Sequence, residues 1–573
     1  MNRKIWKALG IAVCMLALAA PHAMAETITH MVTADTHFAD VVKNINASGV
    51  DDENVIELCA DITLTGNHTL KRSTTIKSKD EDRKISINGS NAGITVTGEK
   101  TVLNLGAKGY DKKLTIEGDG DARIQAAFIT VSEGATANMY ENVTLQNRKS
   151  TGNACIVIMG SKSVFNMRGG VTENCSRAVI ADSGATFHMF DGEIKDCKVY
   201  GNGVILVYDN SKFIMEGGTI SECEAPINNG GGLYADNSTI NISGGTISGC
   251  KGVWGGGLYA ENSSTITISG GAISGCTVGA GGGLFVDSST VRISGGIISG
   301  CITSDTGNGG GLYANHSTIK ITGGRIENNK AAHGGGVALI GKTTFEKPIT
   351  NWTVIGNEAY ATGGVGGGIK LENGSMDVSA GSNRIYNNTA GGQGADVFLY
   401  NGNTSIKLPN AANMNATYRD SGIEIDGWYN DNPPYTPSEN GVGVDVSGEL
   451  TGGLSLVASY KTILVRIEID ANGGVGGSGS QTVQKGKTVT LEAPTKEGHL
   501  FTGWKDEKGN SYPAGADGKV NITVTEDMTF TAEWKKLPSA ENLPKTGDES
   551  PVLLWGAALA VSAAACFMLR RRK

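Results

Sequence analysis

Short runs in which apolar and polar residues alternate recur through the middle of the chain. In the run TINIS, Ile240 and Ile242 flank Asn241. Because successive side chains of a strand point to opposite faces, the two isoleucines lie on one face and the asparagine on the other. Gly, Asn, Asp and Ser bound each run, as they do at turns. The pattern predicts short strands, each with one apolar face.

These runs belong to a repeat. The phrase GGGLYADNSTINISGGTISGC, from Gly230 to Cys250, returns almost unchanged from Gly255 to Cys276. The cysteines that close successive phrases are 22, 26, 27, 26 and 25 residues apart. A constant period of this length predicts a solenoid, in which each unit buries its apolar face against the next. Each unit has short strands and no helical segment, which excludes a leucine-rich repeat and favours one turn of a parallel β-helix.

The expected fold class is therefore all-β, with a parallel β-helix over residues 54–405. Coils of such a solenoid stack about 4.8 Å apart, so about fourteen of them form a rod of roughly 65 Å. The same stacking predicts an interior column in which Ile242 lies against Ile268 and Ile268 against Ile293.

A second column is predicted at the position of the closing cysteine. Aligning the repeats gives this Cys/Asn column the following members: Asn147, Cys175, Cys197, Cys223, Cys250, Cys276, Cys301, Asn329, Asn357 and Asn388. Stacked asparagines hydrogen-bond along such a column, and cysteine fills the same corner as a small apolar residue. Metal binding is not expected, because the chain lacks CxxC pairs and nearby histidines. Free thiols and cross-coil disulfides both remain open, since Cα atoms near 4.8 Å apart permit a disulfide.

The repeat motifs resemble those of a known class of surface protein. GGG[LVI] alternates with IxxN, as in Gly334–Val337 and Ile326–Asn329. This resembles the GGA[ILV] and FxxN motifs of polymorphic outer-membrane proteins and related right-handed β-helix adhesins, over roughly residues 142–401. The resemblance implies a right-handed β-helix and a role in adhesion.

The two ends of the solenoid are expected to be capped. Four apolar residues, Phe38, Val41, Val42 and Ile45, share one helical face, which predicts a short helical cap within residues 26–53. Such a cap protects the open edge of the first coil.

At the other end, DGWYNDNPPYTPSEN interrupts the repeat, and residues 406–462 are predicted to form a C-terminal cap. The alternative for that segment is a sugar-stacking platform built from Trp428, Tyr429 and Tyr435.

Residues 463–535 form a separate predicted domain. Their sequence resembles the Listeria-Bacteroides repeat, also called the internalin B-repeat, with its pattern DANGG, G-x-x-F-x-GW and D-x-T-x-x-A-x-W. The matching residues are Asp470 to Gly474, Gly498, Phe501, Gly503, Trp504, Asp527, Thr529, Ala532 and Trp534. The resemblance implies a β-grasp-like fold that serves as a spacer or weak binding module. We expect Trp504 and Trp534 to lie in its core.

Both termini predict export. Residues 1–25 form a signal peptide, in which an apolar run precedes Ala23 and Ala25, and cleavage is expected before Glu26. Residues 536–573 hold a polar linker, the motif Leu543-Pro544-Lys545-Thr546-Gly547, an apolar span over 551–569 and a basic tail.

This order resembles the cell-wall sorting signal of Gram-positive surface proteins. In that family the transpeptidase sortase cuts the LPxTG motif, here between Thr546 and Gly547, and joins the Thr carboxyl to a peptidoglycan amine. The resemblance implies a precursor that spans the membrane transiently and a mature protein in the wall. A plain single-pass membrane protein is the alternative.

Charge narrows the choice of partners. The signal peptide carries three cations and the segment after Thr546 carries four cations and two acids, which leaves 42 Lys+Arg against 55 Asp+Glu, or a net charge of −13. Such a balance argues against nucleic acid or an anionic membrane surface as partner. Beyond sortase and peptidoglycan, a host or environmental glycan or protein is the expected ligand.

No catalytic residue, metal or cofactor is predicted. Asp236, Glu261 and Asp287 recur at one repeat position, where stacked acids are usually solvated, and the histidines are isolated. We therefore expect a wall-anchored adhesin or glycan-binding display protein and not an enzyme. The alternatives are a polysaccharide lyase or hydrolase of β-helix type, which needs converging acids, and a passive stalk.

Overall fold

The computed structural model describes residues 27–49, 52–118, 126–149, 153–381, 383–400, 404–409, 423–430, 446, 449–451 and 454–537. The chain divides into two compact units, of which the second includes everything from Thr462 onward. Each unit is described by itself.

The first unit is a solenoid of about 14 turns built from stacked parallel strands. Its sheets are named S1 to S4. The strands of S1 are Thr27–Val32, Glu53–Leu58, Thr74–Ser78, Val102–Leu105, Thr136–Met139, Val164–Glu173, Thr186–Lys195, Lys212–Met215, Thr239–Ile242, Thr265–Ile268, Thr290–Ile293, Thr318–Ile321 and Thr344–Phe345. The strands of S2 are Ile62–Leu64, Arg83–Ile87, Leu114–Gly118, Val143–Gln146, Thr219–Ser221, Thr246–Ser248, Ala272–Ser274, Ile297–Ser299, Arg325–Glu327, Thr353–Ile355 and Arg384–Tyr386. The long strands Val164–Glu173 and Thr186–Lys195 bend through both S1 and S2.

Two further sheets complete each coil. The strands of S3 are Asn67–Leu70, Gly93–Thr97, Ile129–Ser132, Ile156–Met159, Val179–Asp182, Ile205–Tyr208, Leu233–Asp236, Leu258–Glu261, Leu284–Asp287, Leu312–Asn315, Val337–Ile340, Ile369–Leu371 and Val397–Leu399, followed by Ser455–Thr462 and Ile423–Asn430. The two-residue strands of S4 are Glu224–Ala225, Lys251–Gly252, Thr277–Val278, Ile302–Thr303, Lys330–Ala331, Glu358–Ala359 and Thr389–Ala390. A small sheet joins Gly374–Asp377, Thr404–Lys407 and Leu450–Thr451.

The interior follows the predicted alternation. Ile242 pairs in register with Ile268, and Ile268 with Ile293, and all three are at most 4 % exposed. The predicted isoleucine column is therefore confirmed. Each buried isoleucine contributes about 1.5–3 kcal/mol to stability.

The N-terminal helix is present at Phe38–Ala47 and buries the four predicted side chains. Asn46 ties it to the first strand of S3, donating to the Thr69 carbonyl at 2.8 Å and accepting from the Lys71 amide at 2.8 Å. Parallel pairing begins before this helix, because Thr27–Val32 is in register with Glu53–Leu58.

The C-terminal end of S3 changes direction. Ser455–Thr462 pairs antiparallel with Val397–Leu399, so the stack of parallel strands ends there. The Asp396 carboxylate joins the two strands, since it accepts a hydrogen bond from the Ala458 amide at 2.7 Å. This strand covers an edge that would otherwise expose unpaired backbone groups.

The second unit is a small β-domain. A five-stranded sheet has the spatial order Gly479–Gln484, Leu464–Asp470, Met528–Lys536, His499–Asp506 and Ser511–Pro513, and Thr488–Leu491 pairs with Val520–Thr523. Trp504 is fully buried in its core, as predicted, whereas Trp534 is partly buried and donates from Nε1 to the Ala471 carbonyl at 3.2 Å. Residues 463–537 contain strands and turns but no helix. These elements do not establish the β-grasp-like fold, which stays a prediction.

Within the described ranges, no helix combines the length and apolar character that a membrane span requires. The predicted signal cleavage site, the sorting motif and the apolar span over 551–569 lie outside those ranges.

Candidate functional site

The Cys/Asn column runs through the corner where each coil leaves S2. Its six cysteines are at most 2 % exposed, and each thiol lies 3.2–3.5 Å from the backbone carbonyl two residues before it. The residue before each column position has a positive φ, as Gly249 and Gly275 do before Cys250 and Cys276. A bend in the left-handed region therefore turns each column side chain into the interior.

The asparagine part of the column is one continuous hydrogen-bond chain. Asn329 donates from its backbone amide and its Nδ2 to Asn357 Oδ1, both at 3.0 Å, and Asn357 repeats the pattern toward Asn388 at 2.9 Å. The series of hydrogen bonds ends where Asn388 Nδ2 donates to Asp396 Oδ1 at 2.7 Å. All four side chains are buried, so their polar groups are satisfied inside the column.

The prediction for Asn147 is wrong by one residue. Asn147 has φ 63°, pairs with Asn174 through a 2.6 Å side-chain hydrogen bond, and so occupies the bend before the column. Arg148 holds the column position itself and is fully buried. The sequence LQN resembles IENN, but in IENN the first asparagine forms the bend and only the second enters the column.

Of the three residues in the alternative aromatic platform near the C-terminal end, Trp428 is not available to a ligand. Trp428 is 1 % exposed and its Nε1 donates to the Pro409 carbonyl at 2.9 Å, so its ring is part of the interior. Tyr429 is partly buried, and Tyr435 lies outside the described residues. The segment's wide spacing of aromatics and prolines gives no periodicity from which this burial could be predicted.

A different aromatic row follows the outer face of S3. The second residue of each strand LYAD, LYAE, LFVD and LYAN points outward, because the first and third residues fill the interior. Tyr234, Tyr259, Phe285 and Tyr313 therefore stack, with successive ring centroids 5.3, 5.0 and 4.5 Å apart. The stacking covers the rings, so that the first three are only 3–8 % exposed. We call these four residues the aromatic stack.

The aromatic stack carries an exposed tryptophan. Trp254 lies nearly parallel to Phe285 at 5.5 Å between centroids, yet it is 45 % exposed. Three other apolar side chains, Tyr200, Ile227 and Val253, are 36–63 % exposed, in the turns before the S3 strands that begin at 205, 233 and 258. One backbone and one side-chain hydrogen bond join these turns, since the Val253 amide donates to the Asn228 carbonyl and Asn228 Nδ2 donates to the Tyr200 carbonyl. Trp254, Tyr200, Ile227 and Val253 form the apolar corner.

A row of carboxylates runs along the other side of the aromatic stack. Asp236, Glu261 and Asp287 occupy the last position of successive S3 strands. Glu261 accepts hydrogen bonds from the hydroxyls of Tyr234 and Tyr259, the latter at 3.0 Å. Burial and this carboxylate raise the pKa of both tyrosines well above the usual value. Glu261 therefore holds both tyrosine hydroxyls protonated and fixes the orientation of the two buried rings.

A second polar cluster lies on the outer face of S1. His188 Nε2 is 3.1 Å from Glu216 Oε1, and the His188 ring stacks on Phe190 at 3.7 Å between centroids. The Arg168 guanidinium lies over the Phe190 ring, 4.6 Å from its centroid. No group of three or more metal-binding side chains occurs in the part of the chain that the structure describes.

Comparison with known families adds to this geometry. Residues 181–354 match the family model for a right handed beta helix region. Residues 463–538 match the model for a divergent InlB B-repeat domain. No curated protein and no solved structure matches the chain. The first match covers the coils that carry the aromatic stack, and it agrees with the predicted handedness.

The two matches bear on the class of protein. A right-handed β-helix followed by an InlB-like repeat is compatible with a surface protein or adhesin. The β-helix fold also occurs in lyases and hydrolases, so the fold alone does not decide whether the chain is an enzyme.

Proposed function

We propose that this chain is an exported surface protein that binds glycans through the apolar corner, whose exposed tryptophan rests on the buried aromatic stack. The single observation that carries the proposal is Trp254, whose ring is held flat by Phe285 on one side and is 45 % exposed. An aromatic ring fixed in this way suits the apolar face of a pyranose. Stacking partners that are already ordered reduce the entropy lost on binding.

The polar groups beside the ring fit the same ligand. Glu261 is partly exposed along the same coils, where Tyr234 and Tyr259 hold its carboxylate, and a carboxylate accepts hydrogen bonds from sugar hydroxyls. Since the corner extends over three coils, an extended polysaccharide chain fits better than a single sugar. The excess of acids favours neutral or cationic glycans over anionic ones.

The remaining parts of the chain support display at the cell surface. In this proposal residues 1–25 direct export, and sortase joins Thr546 to peptidoglycan, which anchors the mature protein to a Gram-positive wall. The helix at Phe38–Ala47 caps the first coils, and the B-repeat over 463–535 acts as a spacer toward the anchor. The supporting observations are the motif order in the sequence and the two family matches.

Replacing Trp254 with Ala tests the binding site. We expect the purified full-length protein to bind a subset of polysaccharides on a glycan array, and Trp254→Ala to lower affinity for them about tenfold. One aromatic stacking contact is worth about 0.5–1.5 kcal/mol beyond the area that it buries, and 1.4 kcal/mol corresponds to a factor of about ten. Tyr400→Ala is the matched control, because Tyr400 is 57 % exposed but lies at a distant coil. Equal loss in both variants, or no loss in Trp254→Ala, would contradict the assignment.

The same array distinguishes binding from catalysis. Unsaturated or reducing ends appearing on bound polymers would establish a lyase or hydrolase, and loss of those products in His188→Ala would place the activity on S1 instead. We expect neither product.

Anchoring has its own test. We expect the full chain, expressed in a Gram-positive host, to be released from the cell wall fraction only by a peptidoglycan hydrolase. Thr546→Ala should move it to the membrane fraction and the medium, because sortase then lacks its acyl donor. Thr529→Ala, a threonine outside the motif, is the control. Wall attachment that survives Thr546→Ala would overturn the sortase proposal without affecting the glycan site.

A further inference from the structure

One buried cysteine lies outside the Cys/Asn column. Cys155 immediately precedes the S3 strand Ile156–Met159 and is fully buried. Its Sγ is 2.7 Å from the Sγ of Cys175, which is the column residue of the same coil. The two sulfurs are therefore inside van der Waals contact, and a small movement brings them to the roughly 2.05 Å of a disulfide.

The repeat explains why this coil differs from those that follow. The position before each S3 strand faces the column residue of its own coil. From Cys155 onward this position holds Cys155, Ala178, Val204, Gly232, Gly257, Gly283, Gly311, Gly336, Gly368 and Asp396, and no cysteine precedes the earlier S3 strands. A β-carbon built on Gly232 would lie 3.2 Å from Cys250 Sγ, and one on Gly283 would lie 3.3 Å from Cys301 Sγ. Only the coil of Cys155 places sulfur at both of these facing positions among the described residues.

Neighbouring column cysteines are less suited to pairing with one another. Their strands stack in register, so their β-carbons are separated by about the 4.8 Å coil spacing, beyond the roughly 3.5–4.5 Å of a disulfide. Each column thiol is also turned toward a carbonyl of its own coil, such as Cys197 toward Lys195 at 3.3 Å. Neighbouring column thiols also hydrogen-bond to one another, but among the described residues only Cys155 and Cys175 face each other within one coil, so theirs is the pairing that the geometry favours.

The surroundings of the pair favour thiol chemistry. Arg148, fully buried in the coil below, donates to the Asn153 carbonyl at 2.5 Å and to Ser176 Oγ at 3.4 Å, so its guanidinium lies next to residues that flank the two cysteines in sequence. Burial by itself would raise the pKa of Cys175, but hydrogen bonds with Cys155 and Cys197 and the charge of Arg148 bring it well below its usual value, whereas burial raises the pKa of Cys155. A groove of about 190 Å³ reaches Cys175 and is lined by Lys149, Lys198 and the carboxylate of Asp196.

We propose that Cys155 and Cys175 are oxidised to an intracoil disulfide, while Cys197 and the later column cysteines stay reduced. The oxidant is a disulfide of the glutathione or thiol-oxidoreductase class. The Cys175 thiolate attacks it to form a mixed disulfide and releases one thiol, and the Cys155 sulfur then gives up its proton, bonds to Cys175 Sγ and displaces the second thiol. The pair loses two electrons and two protons, and the oxidant is reduced to two thiols. For the cellular protein the proposal rests on the proposed export, because an exported chain meets such oxidants.

Peptide mapping of the full-length chain tests the proposal. The reduced protein is treated with oxidised glutathione, denatured with excess maleimide and digested with trypsin. We expect residues 150–162 joined to residues 169–177, a species that disappears after reduction, and maleimide on Cys197, Cys223 and Cys250. Maleimide on both Cys155 and Cys175, or a link from Cys175 to Cys197, would overturn the pairing.

Two variants separate the pairing from general folding effects. Cys155→Ala introduces the residue that the next coil holds at Ala178, so the coil should tolerate it, and the crosslinked species should be lost. Cys197→Ala should leave the crosslink unchanged. Because oxidation is carried out on purified protein, its failure is distinguishable from failure of the export, anchoring or glycan proposals.

Discussion

Asn357→Ala is expected to lower the free energy of unfolding of its coils by about 3–6 kcal/mol. The substitution leaves the amide and Nδ2 of Asn329 without their acceptor and removes the donor to the Ile326 carbonyl. It also removes one of the two donors to Asn388 Oδ1, which keeps the backbone amide of residue 357. Each buried polar group left unpaired costs about 1–3 kcal/mol, and water does not enter a fully buried column readily. This is the largest effect that the structure predicts for a single side chain.

Hydrogen exchange is the suitable measurement, because coils of a solenoid open locally and a single unfolding free energy describes them poorly. We expect faster exchange in the coils between Asn329 and Asn388 and little change near Cys223. Asn241→Ala, which alters an outward-facing asparagine on S1, is the control and should change stability by less than about 0.5 kcal/mol. Similar exchange in both variants would show that the column contributes no special stability.

Gly257→Ala is expected to destabilise its coil by about 1–3 kcal/mol through overpacking. A β-carbon at this position would lie 2.6 Å from Ile273 Cγ2, 2.7 Å from the Gly283 carbonyl oxygen and 3.4 Å from Cys276 Sγ. The backbone of the neighbouring coil cannot give way cheaply. Denaturant unfolding monitored by hydrogen exchange in these two coils would measure the loss.

Gly66→Ala provides the comparison, since a β-carbon added there would meet no atom within 4 Å and the φ of Gly66 is not in the left-handed region. It should be neutral or slightly stabilising. If Gly257→Ala proved equally neutral, overpacking would not explain the glycine triplet, and the backbone bends at these positions would be the remaining reason for glycine. Ala178 and Val204 occupy the corresponding position in earlier coils, so the restriction depends on the neighbouring coil and not on the position by itself.

The repeat sequence predicts the solenoid well because register and burial depend on the same alternation. A one-residue shift in TINIS would turn both isoleucines outward, so only one stacking satisfies the pattern. The regular spacing of the cysteines likewise places them at one position of successive coils, which predicts the column. The error at Asn147 arose where the repeat is irregular and where asparagine serves equally well in a left-handed bend and in the column.

The candidate site was harder to predict. The second residue of LYAD, LYAE and LFVD indicates an outward aromatic row in the sequence, but the exposure of Trp254 depends on how its turn folds over the next coil. Trp428 shows the converse. It lies in an irregular segment but is buried, and its indole N–H donates to one backbone carbonyl. Cys155 was missed because it precedes a strand in place of a glycine, outside the cysteine period.

The order of residues in the column has a mechanical consequence. Its cysteines occupy earlier coils, and its hydrogen-bonded asparagines occupy the later ones, ending at Asp396. If the protein is anchored at its C-terminus as proposed, those later coils lie along the chain between the ligand-binding coils and the attachment and bear the tension. Separating two of these coils breaks side-chain hydrogen bonds of the column in addition to the backbone hydrogen bonds between strands. The C-terminal end of the solenoid therefore resists local unfolding most.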